Sequence, residues 1–135
     1  MSRKKKSGLF IVDVDIYKRS VVFSICQTEK QIRQELSKHP VDDLDGLISA
    51  INPNNAGKYY AITATHSGDV YVFFNPNGMN KGTIAHEIFH ATCYITKHIG
   101  LPLTAESEEA YAYLLGYITV EFYKQLKKDF DYDFS

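Results

Sequence analysis

Residues 84–95 read Ile84-Ala85-His86-Glu87-Ile88-Phe89-His90-Ala91-Thr92-Cys93-Tyr94-Ile95, and the spacing inside this stretch decides the fold. Ile84, Ile88, Ala91, Ile95 and Ile99 recur at helical intervals and make one apolar stripe. His86 and His90 lie on the opposite side, about 40° apart at 3.6 residues per turn, so two imidazoles face one point. Glu87 is turned by roughly 100° from His86. The pattern predicts a helix from about Lys81 to Ile99 whose core-facing side needs neither histidine, stopped by Gly100-Leu101-Pro102.

Outward from this helix, Thr104 offers a cap for a long final helix reaching about Lys128. On the N-terminal side the period changes to two. Tyr59–Thr65 and Asp69–Asn75 alternate aromatic and β-branched residues around His66-Ser67-Gly68, which predicts a hairpin. Gly8–Tyr17 and Ser20–Cys26 predict two further strands with a turn at Lys18-Arg19. Thr28 and Gln31 are spaced as a capping box for an amphipathic helix through Ile32 and Leu36, ended by His39-Pro40. Asp42–Ile51 reads as a short helix, and Asn52-Pro53-Asn54-Asn55-Ala56-Gly57 as a loop. Strands first and two long helices last give an α+β class: a small, mostly antiparallel sheet with its helices on one side, packed on the His-Glu-x-x-His helix and the C-terminal helix.

At 135 residues the chain has the length of one domain, expected over residues 8–135 behind a basic flexible tail at 1–7. A formal net charge of -1 excludes a global field favouring nucleic acid or an anionic membrane. The basic run Arg3-Lys4-Lys5-Lys6 is followed by no apolar leader, because Asp13 and Asp15 interrupt Leu9-Phe10-Ile11-Val12, and no run approaches a membrane span. A cytoplasmic location is expected. Cys26 and Cys93 form no CxxC pair and suit a reducing compartment.

The two histidines and Glu87 point to metal chemistry. Residues four apart on one helix face can chelate a zinc ion, and the offset carboxylate can act on a water as general base without ligating. Catalytic zinc takes three protein ligands, so a third is required. Cys93 and Thr96 stand where a metzincin would have Gly and a third His, so the next helix is the remaining source. Glu109 shares its stripe with Ala105, Ala112 and Gly116, small residues that would allow close approach to the zinc helix, and is the favoured ligand. Glu106, in line with Ala110, Tyr113 and Tyr117, is second, and Glu108 lies with Tyr111, Leu115 and Phe122.

Ala85-His86-Glu87-Ile88-Phe89-His90-Ala91, with Glu109-Ala110 nineteen residues after His90, resembles the gluzincins, especially compact forms such as the minigluzincins and the ImmA/IrrE-like proteins of phages and mobile elements. The resemblance covers roughly residues 69–116 and implies a zincin-like metallopeptidase, a hydrolase of peptide or protein substrates, with zinc on His86, His90 and Glu109 and with Glu87 as catalytic base. It also implies that Asp69–Phe74 is the edge strand along the substrate cleft. Tyr111, Tyr113, Tyr117, His66 and His98 are candidates for polarising the scissile carbonyl, and none is singled out. The alternative is a non-catalytic zinc-containing module that binds or regulates a protein. Membrane and nucleic acid are not expected partners.

Overall fold

A computed structural model describes residues 4–38, 41, 43–51, 61–66 and 68–132, with backbone alone for 50, 51 and 61–66. Four strands, β1 (Gly8–Val14), β2 (Arg19–Ile25), β3 (Ala61–His66) and β4 (Asp69–Phe74), form one sheet in the order β1-β2-β4-β3. Among the described residues four α-helices accompany it: α1 (Glu29–Leu36), α2 (Leu44–Ile51), α3 (Lys81–His98) and α4 (Glu108–Asp129). The α+β class stands. β1 with β2 and β3 with β4 are antiparallel, whereas β2 pairs β4 in parallel, so the sheet is mixed.

Helices cover both faces of this sheet, not one. On the first face Phe10, Val12, Val21, Phe23, Val70 and Val72 share a core with Ile84, Ile88 and Ile95 of α3 and Ile118 and Phe122 of α4. On the second, Val22, Tyr71 and Phe73 pack with Ile32 and Leu36 of α1 and Leu47 and Ile48 of α2. The reason lies in β2 and β4, whose Val-Val-Phe and Val-Tyr-Val-Phe-Phe runs are apolar at consecutive positions and so present oil to both sides. The same runs explain a second correction. Asp69–Phe74 is an inner strand, hydrogen-bonded on both sides, and the edge next to it is Ala61–His66.

Phe122 is the hub of the first core. Its ring meets Phe10, Phe23 and Phe74 with centroids 5.5, 4.8 and 5.8 Å away. The capping box of α1 forms as its sequence spells: Thr28 Oγ1 accepts from Gln31 N at 3.2 Å, and Gln31 Oε1 accepts from Thr28 N at 2.9 Å.

Two boundaries differ from expectation. Thr104 does not cap α4, which begins at Glu108; its amide instead donates to Ser107 Oγ at 2.8 Å in a turn that places Glu106 before the helix. Lys5 and Lys6 are not a free tail, because Lys5 N donates to Asp129 O, Asp131 N donates to Lys5 O and Tyr132 Oη donates to Lys6 O. Residues 1–3 and the loop expected at 52–57 lie outside the described residues.

Both thiols are half-buried and unbonded to each other, and burial pushes each of them up. Among the described residues no helix is long and apolar enough to cross a membrane.

Replacing Phe122 by Ala is expected to cost about 3–5 kcal/mol in urea unfolding, against about 1 kcal/mol for Thr28→Ala at the cap. A Phe122→Ala loss no greater than that of Thr28→Ala would contradict the hub assignment.

Candidate metal centre

α3 is clamped at both ends, which fixes what its faces present. Asn80 Oδ1 accepts from Thr83 N at 2.9 Å as N-cap. At the other end Gly100, with φ of 79°, lets Leu101 N donate to Thr96 O and Gly100 N donate to Lys97 O, a Schellman closure that needs the left-handed conformation. Between these stops Ile84, Ile88, Ala91 and Ile95 are wholly buried, as the stripe requires. Thr92 and Thr96, also buried, donate their hydroxyls to Ile88 O and Thr92 O one turn back, so they add no unmet polar group.

The face that remains carries the histidines. His86 Nε2 and His90 Nε2 are 3.1 Å apart, both rings solvent-exposed. Two nitrogens at that distance cannot both carry protons. One donates to the other, or both turn lone pairs on a shared cation. Tetrahedral zinc with Zn–N of about 2.0–2.1 Å sets its ligand nitrogens roughly 3.4 Å apart, so the observed separation fits a chelating pair. His90 also stacks on Tyr94, one turn on, with centroids 6.3 Å apart and planes 23° from parallel. Sequence reasoning missed this contact, although the i, i+4 spacing announces it.

Glu87 is placed differently from its neighbours. It is 6% exposed, the one charged residue buried among the described side chains, and its Oε1 lies 4.0 Å from His86 Nε2. Its offset of about 100° from His86 turns it toward the sheet side of the helix.

The acidic cluster ahead of and within α4 does not join this pair. Tyr111 lies with Cys93, Lys97, Gly100 and Leu101 around a cavity at the C-terminal end of α3, and its hydroxyl donates to Leu101 O at 2.6 Å. Leu115, Thr119 and Tyr123 sit opposite Ala85 and Phe89. The two helices are therefore antiparallel, and Glu109, just before Tyr111, is on the order of 10 Å along the axis from His90 at 1.5 Å per residue. Glu106, Glu108 and Glu109 are all exposed. Among the described residues no three His, Cys, Asp or Glu side chains converge as a metal group.

The small residues in line with Glu109 do not form a contact face. Ala112 and Gly116 face solvent, and a Cβ on Gly116 would meet nothing within 4 Å. The rotation of α4 is set by its larger stripe of Tyr111, Leu114, Ile118, Phe122 and Leu126. That stripe wins because it buries far more apolar area.

No family model, curated protein or solved structure matches the chain.

The polarising candidates are scattered. The Tyr111 hydroxyl is committed to Leu101, that of Tyr117 donates to Asp13 O at 2.7 Å, and Tyr113 is exposed on the same side of α4 as Tyr117. His98 Nε2 lies near Gly68, two turns from His90, and the side chain of His66 is outside the description.

Because both rings are exposed, replacing His86 and His90 together by Ala is expected to change metal-free stability by no more than about 1 kcal/mol. Zinc at one hundred times its Kd should stabilise the parent by about 2.7 kcal/mol and the double variant not at all, read by thermal melting with and without the metal. An equal zinc response in both would remove the pair from the site.

Proposed function

We propose that the chain is a zinc-dependent peptidase whose metal is held by His86 and His90 and whose general base is Glu87. One observation carries this reading: two exposed imidazole nitrogens at chelating distance with a buried carboxylate 4.0 Å from one of them. Zinc bound there supplies Lewis acidity toward a carbonyl and toward water.

The chain's own groups supply the rest. Glu87 takes a proton from the attacking water and returns it to the departing amine, a role favoured by a carboxylate that is shielded yet close to the ligating face. The stacked Tyr94 ring limits the orientations open to His90. Ala61–His66, at the sheet edge beside α3, offers a backbone against which an extended peptide can lie. The third ligand in this reading is Glu109, with Glu106 next, and the solvent-exposed start of α4 is the part of the molecule that must bring it in.

A second reading has an observation of its own. With no group of three described His, Cys, Asp or Glu side chains placed to hold a metal, a two-imidazole site in a zinc-containing protein-binding or regulatory module needs no general base and no turnover. The two readings part at Glu87.

Glu87→Gln is expected to retain zinc while hydrolysis of a peptide library falls by at least about a hundredfold, the scale of a lost general base. Unchanged turnover would refute the assignment, and absence of hydrolysis in the zinc-loaded parent would favour the binding module. Glu109→Ala should weaken zinc roughly ten- to a hundredfold by competition titration, and full affinity in that variant with a loss in Glu106→Ala would transfer the ligand role to Glu106.

A further inference from the structure

Away from the histidines, the turn that follows β1 and the first half of α4 enclose an apolar pocket of about 580 Å³. Val14, Ile16, Leu114, Tyr113 and Tyr117 wall it, and Asp15 is the one acid in its lining. It lies on the flank of α4 that faces β1, whereas Leu115, Thr119 and Tyr123 face α3.

Three of its side chains are large and left in water: Ile16 is 82% exposed, Tyr113 76% and Tyr117 44%. Single exposed apolar residues are ordinary, but a contiguous group around a concavity marks a contact surface. The wall is also pre-set. Tyr117 Oη donates to Asp13 O at 2.7 Å, tying α4 to the end of β1 and holding its ring in place.

The surroundings are negative. After burial, which raises it most, the Tyr117 phenol is held up by Glu121, Asp15 and Asp13 together. Lys124, the cation that acts on this phenol, is engaged by Glu121 at 3.3 Å. Among the described residues no cation pairs with Asp13 or Asp15.

We propose that this pocket docks a partner polypeptide through a Lys or Arg side chain, its methylene stem lying on Ile16 and the tyrosine rings and its charged head meeting Asp15. Charge complementarity selects this occupant. An acidic segment would meet Asp13, Asp15 and Glu121, and a wholly apolar one would strip water from Asp15 without replacing it. A long side chain with an apolar stem and a cationic head satisfies both halves of the pocket, and tyrosine faces attract cations as well. The volume exceeds what one side chain fills, so the neighbouring residues of a polypeptide enter with it. The site is independent of the metal reading, since neither histidine lines it.

The test is fluorescence anisotropy of the full chain with a labelled nonapeptide of Gly-Lys-Leu repeats, beside a Gly-Glu-Leu counterpart. The lysine peptide should bind and the glutamate peptide should not. Asp15→Asn and Tyr113→Ala should each weaken binding about five- to tenfold, the scale of one charge-assisted or stacking contact, while Glu35→Gln on α1, across the sheet, leaves it unchanged. Tyr113 is so exposed that its loss should not alter the melting temperature, which separates a binding defect from unfolding. No binding of the lysine peptide, equal binding of the two peptides, or equal losses in Asp15→Asn and Glu35→Gln would overturn the proposal.

Discussion

The docking of one helix face on the sheet sets everything else at the candidate centre. Ile84, Ile88, Ala91 and Ile95 are buried together with the sheet's Phe23, Val72 and Phe74, so α3 has no freedom to roll. Each step along a helix turns by about 100°, and a fixed stripe therefore dictates every other direction. His86 and His90 are left outside with their Nε2 atoms together, and Glu87 is drawn inside. A small roll of α3 would bury a histidine or expose the acid. The chemistry proposed for this face is a consequence of aliphatic packing one row away.

The sheet is able to fix α3 because it is itself held from both sides. β2 and β4 lie at its centre and are apolar on both faces, which obliges α1 and α2 to cover the side that α3 and α4 do not. The phenyl cluster of Phe10, Phe23, Phe74 and Phe122 then locks the middle of α4 to the strands. Core packing thus also sets which side of α4 meets solvent. It turns Ala112 and Gly116 outward.

Much of this was legible in the residues themselves. The period of α3, its exposed histidines, the capping box at Thr28 and Gln31 and the two hairpins follow from local patterns, where propensity and tertiary structure agree. What was not legible depends on pairing at a distance. The doubly apolar run of Asp69–Phe74 suits an inner strand, but nothing within it names β2 as a parallel partner rather than another antiparallel neighbour. The rotation of α4 is ambiguous in sequence for a related reason: a stripe of small residues suggests close helix contact, but the larger stripe beside it has the greater area to bury. The start of α4 is likewise ambiguous in sequence, since Thr104 and Ser107 both have capping chemistry; in the structure Ser107 Oγ donates to Pro102 O inside the turn.

X-ray absorption at the zinc edge, on the chain purified without chelator and then titrated with zinc, tests the centre most directly. The expected result is one zinc per chain with two imidazole nitrogens at about 2.0–2.1 Å, an imidazole signature that disappears when His86 and His90 are replaced. A chain that takes up no zinc at neutral pH, or one whose zinc spectrum is unchanged by losing both histidines, would contradict it.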